Sequence, residues 1–260
     1  MTAGAVVIVG GSAVTSAALG EASFLTGWLL VGTMLALTLL NGRKKLPFLA
    51  LGSVAAWLRF HVYMGWLSVV LFLVHVDMRL PDGPLEVALA VLYAAVAVSG
   101  IVGLLISRSF TKRLTRRGEE VIFERVPAYR RQVQQEAEDL VLQSVSEAES
   151  TAVSDFYVSR LKDFFDGPRN FLQHLVESNR ARFTLLTHIR SIAQHMDGKE
   201  RESLERLSDL VCQKDDLDYH HALQATLKGW LFVHIPLTYS MWILVVLHLV
   251  LAYAFTGGMS

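Results

Sequence analysis

The chain has 260 residues, 52% of them apolar, and its 24 basic and 24 acidic side chains cancel. A neutral balance argues against a nucleic-acid partner. The single cysteine, Cys212, excludes an internal disulfide, a four-thiolate cluster and a CxxCH cofactor attachment, and reads as a structural or surface thiol. Charge is segregated. Residues 108–228 hold 19 of the basic and 20 of the acidic side chains, and the flanks are nearly uncharged over long runs. That distribution predicts bilayer segments around a polar domain.

Five apolar segments follow in chain order, at about 4–19, 24–41, 54–77, 86–107 and 229–256. The first is short and rich in Gly and Ala. No basic residue precedes it, which argues against a cleaved signal peptide. Its "VVIVGGSA" lacks the GxGxxG spacing of a dinucleotide turn. Each of the last three is long enough to cross roughly 30 Å of hydrocarbon at ~1.5 Å per residue. Arg43, Lys44 and Lys45 follow the second segment, and Arg108, Lys112, Arg113, Arg116 and Arg117 follow the fourth. The positive-inside rule makes both ends cytoplasmic. The loop "DMRLPDGPLE" then faces the other side, as does the C-terminus, and the N-terminus is cytoplasmic if the first segment spans. The location expected is an inner or plasma membrane.

The polar stretch 108–228 carries helical signals throughout. Pro127 is placed to open a helix. "GPRN" breaks the chain, and residues 171–193 then show Leu172, Leu175, Leu186, Ile189 and Ala193 at helical spacing. "DGKE" breaks it again. The fold expected is an all-α membrane protein. About five transmembrane helices form a bundle, with a helical cytoplasmic insert between the fourth and fifth. The domains are 1–107, 108–228 and 229–260.

Two apolar runs carry a histidine at each end: "HVYMGWLSVVLFLVH" from His61 to His75, and "HIPLTYSMWILVVLH" from His234 to His248. Fourteen residues at ~100° each is four turns less about 40°, so each pair shares a helix face, about 21 Å apart along the axis. One spanning segment and one cytoplasmic insert separate the two runs, so they run in the same direction. His61 and His234 then lie near the cytoplasmic end, and His75 and His248 near the other. Ionisable groups inside membrane segments are costly and mark function by default. Imidazole is a common axial ligand of haem, and a haem held between two helices satisfies nitrogens that lipid cannot. One such histidine would read as a hydrogen-bonded side chain. Two matched pairs read as ligands of two b-type haems, His61 with His234 and His75 with His248. His174 and His188 are also fourteen apart, but "ESNRAR" lies between them. They, with His195, His220 and His221, read as ordinary surface or core histidines.

Small residues fit the same picture. Gly65, one turn after His61, would let a flat macrocycle approach the backbone. Ser99, Gly100 and Gly103 could do the same on the fourth segment, or serve helix packing. Arg59 is either a propionate partner or a positive-inside anchor, and Pro236 either aims His234 or merely kinks its helix. Tyr63, Tyr239 and Ser240 are candidate contributors to a quinone site.

Histidine pairs on the third and fifth spanning helices, with "TGWLL…NGRKKLP" and "WLRFHVYMGWL…LH" as the second and third helices, resemble the ferric reductase and NADPH oxidase transmembrane domain, and more loosely other di-haem b-type cytochromes. The resemblance covers segments two to five, about half the chain. It implies that His61, His75, His234 and His248 are axial ligands, the two helices sharing each haem. The chain departs from that family in its charged helical insert and in ending without a sixth helix or flavin- and nicotinamide-binding domains. The function expected is an electron-transfer subunit, a membrane-embedded di-haem cytochrome. It would work between a partner redox protein (an iron–sulfur protein, a flavoprotein or a c-type cytochrome) or the quinone pool and a second partner, with membrane lipid around it. The alternative is a cofactor-free membrane anchor whose insert docks a partner.

Overall fold

The computed structural model describes residues 24–39, 53–117, 121–148, 151–196 and 198–256. The expected segment 4–19 and the Arg43–Lys44–Lys45 cluster lie outside them. Among the described residues every regular element is helical. In chain order the helices are α1 (Phe24–Leu39), α2 (Val54–His75), α3 (Pro84–Leu114), α4 (Val126–Ala148), α5 (Ala152–Phe156), α6 (Lys162–Phe165), α7 (Phe171–Leu175), α8 (Arg180–Ala193) and α9 (Gly198–Thr256). A 3₁₀ turn, Phe123–Arg125, leads into α4, and a π turn, Tyr157–Leu161, joins α5 to α6. Three helices, α2, α3 and α9, are long and apolar enough to cross a membrane, and α1 is a shorter apolar helix.

The chain divides into two compact units: residues up to Leu104 together with Val233 onward, and Leu105–Phe232. These boundaries fall inside the apolar segments. Ile106 and Leu227 pack with the cluster of Phe110, Tyr219, Ala222 and Leu223, which binds the ends of the apolar runs into the second unit.

Local chemistry explains where the first unit's helices start and stop. The Ser53 hydroxyl caps α2 by accepting the Ala56 N–H at 3.2 Å. α2 ends where Asp77 and Met78 turn left-handed, with φ of 50° and 54°, and the Met78 N–H reaches back five residues to the Leu73 carbonyl. α3 opens on Pro84, and the Glu86 carboxylate returns to the Gly83 N–H at 3.0 Å. The unit's core is apolar: Leu30, Met34, Tyr93, Met241 and Val245 are buried together.

The second unit is built on an α4–α9 seam. Val126, Val133, Ala137, Leu140 and Val141 of α4 belong to one buried cluster with Leu204, Leu207, Leu210, Val211 and Leu217 of α9. Leu204, Leu207 and Val211 step along α9 at the spacing of an apolar stripe, and that stripe continues onto Lys214 and Asp218. Both are buried, Lys214 at 0% exposure. Their charges are tolerated because they meet at 2.5 Å, while Arg130 stands 3.0 Å from the other Asp218 oxygen and the Arg169 backbone N–H donates to the carboxylate.

Two expectations need correcting. The 171–193 stretch is not one helix. It breaks after α7 at Val176, and Glu177 has a φ of 59°, so His174 and His188 belong to different helices and their spacing has no meaning as a shared face. The fifth apolar segment is not a helix of its own. It is the C-terminal half of α9, which begins at Gly198 and carries Pro236 inside it.

Replacing Asp218 with Ala would leave Lys214 and Arg130 buried without a counter-charge, at a cost of about 3–5 kcal/mol. Lys214→Met should cost less, since Asp218 keeps Arg130. Thermal unfolding of the two variants in detergent checks the order.

Candidate functional site

The four histidines of the apolar runs all lie in the first unit, each half-buried. His75 and His248 line one apolar cavity of about 250 Å³, with Gly27, Trp28, Met34, Phe72, Leu89 and Tyr93 among its walls. At the other end of the same helices, His61 is within electrostatic reach of His234. Equivalent histidines thus fall at the same two levels in the same order along α2 and α9, so the two helices run parallel.

Hydrogen bonds fix the neighbours. His61 Nδ1 lies 3.1 Å from the Leu37 carbonyl on α1, and His75 Nδ1 lies 3.4 Å from the Thr26 hydroxyl on the same helix. Residues 26 and 37 thus face 75 and 61, so α1 is antiparallel to α2. His234 Nδ1 lies 3.1 Å from the Ser99 hydroxyl on α3. A carbonyl only accepts, so His61 carries its proton on Nδ1 and its lone pair on Nε2. That is the tautomer of an imidazole that ligates a metal through Nε2 while a neighbour holds its other nitrogen.

Glycines mark the close approaches. A Cβ on Gly27 would stand 3.0 Å from His75 Cε1, and one on Gly100 would stand 3.8 Å from His234 Cε1. Gly65 is different: a Cβ there would meet nothing within 4 Å. It borders open space beside the His61 level rather than a packed neighbour. Arg59 is exposed on the second turn of α2. Between the two histidine levels sits a polar pair, Ser68 and Tyr93, whose hydroxyls are 3.0 Å apart. The Tyr93 ring stacks on Phe72 with centroids 4.2 Å apart.

Sequence reasoning missed Thr26, Gly27, the Leu37 carbonyl and the Ser68–Tyr93 pair. The Thr26–Gly27 dipeptide begins "TGWLL", whose polar and small residues opening an apolar run were the available signal. Ser99 and Gly100 were read as small residues, and the structure adds that both meet His234. Tyr63 and Tyr239 are exposed and do not line the His75–His248 cavity.

The remaining histidines lie in the second unit as core or surface side chains. His188 and His195 are exposed, whereas His174 and His220 are buried. His220 Nε2 donates to the Arg117 carbonyl at 2.6 Å. His174 is 3.8 Å from Asp215, which is held by Arg117 at 2.7 Å and faced by Arg182 at 3.7 Å. Burial pushes the His174 imidazole below its ordinary value. His221, stacked on Phe123, shifts the same way for the same reason.

Among the described residues no group of three or more His, Cys, Asp or Glu side chains is placed to hold a metal ion. A haem iron asks less of the protein, because the macrocycle supplies four donors and the chain only the axial ones. The donor set fits that group: paired imidazoles, apolar walls, and a glycine against one ring. In comparisons with known proteins, no family model, curated protein or solved structure matches this chain.

Two outcomes follow. Gly27→Val should destabilise the first unit by about 1–3 kcal/mol through overpacking against His75. Gly100→Ala should be neutral or slightly stabilising, because Ala favours a helix over Gly by up to ~1 kcal/mol. Detergent melting curves read both. For pH, a buried His174 takes a proton less readily folded than unfolded. Its contribution is intact above its unfolded value near 6.5 and falls as pH drops below that, by at most ~1.4 kcal/mol per pH unit. His174→Leu should flatten the fall in melting temperature between pH 7 and pH 5.

Proposed function

We propose that this protein is a membrane-embedded di-haem b-type cytochrome subunit that carries electrons across the bilayer. The observation that carries the reading is the matched order of two histidine pairs on parallel helices, with about 21 Å of helix between the levels. A single buried pair would suit a structural contact. Two pairs at two levels of the same helices suit a relay. The sequence's resemblance to the ferric reductase transmembrane domain points the same way.

In this reading His61 and His234 would hold the haem nearer the cytoplasm, and His75 and His248 the one nearer the opposite face. Each haem, when bound, supplies one-electron redox chemistry. The chain's own residues set the conditions. Leu37, Thr26 and Ser99 orient three of the imidazoles through Nδ1. Trp28, Met34, Phe72 and Leu89 keep water from the His75–His248 level, and Gly27 admits a ring close to its backbone. Arg59 would be the propionate partner at the cytoplasmic end. Donor and acceptor are a partner redox protein or the quinone pool. The second unit is the cytoplasmic domain that meets the partner.

Purified protein should show the split bands of low-spin b haem. His61→Ala and His234→Ala should abolish one and the same redox component, and His75→Ala and His248→Ala the other. If His61→Ala and His75→Ala removed the same component, the pairing would be wrong. NADH or NADPH should leave the haems oxidised while dithionite reduces them.

A further inference from the structure

The five basic residues after the fourth apolar segment do not act as one cluster. Arg108, Lys112 and Arg116 are spaced i, i+4, i+8 and are exposed. Arg113 and Arg117 fall on another face and are turned into the second unit. Arg113 donates to the Tyr219 hydroxyl at 3.0 Å, to the Leu175 carbonyl at 2.7 Å and to the His174 carbonyl. Arg117 lies 4.4 Å over the Tyr219 ring and pairs with Asp215 and Asp216. One consequence is that α7 is clamped onto α3. The carbonyls of its last turn are held by Arg113, and Leu175 packs against the cluster of Phe110 and Tyr219.

This clamp sets the depth of α7. Leu105, Ile106 and Ser107, the end of the apolar run of α3, belong to the second unit itself. Phe110 and Arg113 lie three and six residues further on, about 5 and 9 Å along the helix. The headgroup layer is about 5–8 Å thick on each side of the hydrocarbon. With α3 crossing a membrane, Phe110, against which Leu175 packs, stands within the headgroup layer and the Arg113 clamp at its outer edge, and α7 carries bare apolar side chains. Leu172 is 74% and Val176 76% exposed, and Phe171 is exposed beside them. The segment is bounded by left-handed backbone on both sides, at Gly167, Asn170 and Glu177.

We propose that Phe171, Leu172 and Val176 form a foot that enters the lipid headgroup–acyl boundary, with Arg108, Lys112 and Arg116 meeting phosphates beside it. The foot fixes the second unit against the bilayer surface. Membrane lipid is the occupant because the bilayer that α3 enters begins within one or two turns of the clamp. The inference rests on α3 crossing the membrane, and not on haem.

The test uses the full chain in a Cys212→Ser background, reconstituted into phosphatidylcholine–phosphatidylglycerol vesicles. Leu172→Cys and Val176→Cys carry an environment-sensitive NBD label, with lipid spin-labelled near the headgroup as quencher. Two controls bracket them. Val98→Cys, exposed in the apolar part of α3, reports the membrane reading itself. Leu142→Cys, 69% exposed on α4, reports a solvated face. The labels at 172 and 176 should be quenched at least about two-fold more than the label at 142, as for an interfacial apolar face. Equal quenching at 172, 176 and 142, with 98 shielded from water-soluble iodide, overturns the foot and leaves the membrane reading standing. A label at 98 open to iodide overturns both. Shielding at 172 and 176 that needs an added protein, with no lipid quenching, makes the face a protein-docking site and overturns the proposal.

Discussion

An imidazole inside an apolar bundle must place two ring nitrogens where no water can serve them. In the first unit, α1 and α3 answer part of that demand. The Leu37 carbonyl, the Thr26 hydroxyl and the Ser99 hydroxyl each take one Nδ1. Helix direction follows from these contacts: α1 lies antiparallel to α2, and α2 parallel to α9. Side-chain size follows too, since nothing larger than glycine fits at position 27 without moving His75.

The second unit handles buried charge differently. Its stripe on α9 runs from Leu204 into Lys214 and Asp218, and the two ions neutralise each other within a turn. Asp215 and Asp216 then receive Arg117 from the turn after α3 and Arg182 from α8. Such pairs add little net stability over apolar residues of the same size, but they are costly to break singly. They also specify which helix meets which. Arg113 and Arg117 tie the end of α3 into the network, so residues that follow an apolar run become structural members of a polar domain.

Much of this was legible in the sequence. Long uncharged runs predicted the apolar helices, and the phase of fourteen residues predicted that each histidine pair shares a face. Charge segregation predicted a polar domain between apolar flanks. What was not legible depended on contacts between helices. Thr26 and Gly27 look like any small residues at the start of an apolar run, and only packing brings them to His75. Lys214 and Asp218 carry no signal in the sequence, because nothing in it announces a self-neutralised pair in a core stripe. The break after α7 was missed because Leu172, Leu175, Leu186 and Ile189 keep helical spacing across it. The two roles of the basic cluster were hidden, although their i, i+4 phase was there to read.

The central claim is that paired imidazoles hold two haems in one chain, and it is tested most directly by counting them. The full-length protein, produced with haem available and purified in detergent, should contain about two non-covalent haems per chain by extraction assay, each iron low-spin with two nitrogen axial ligands by electron paramagnetic resonance. A folded, colourless preparation without iron would contradict the account.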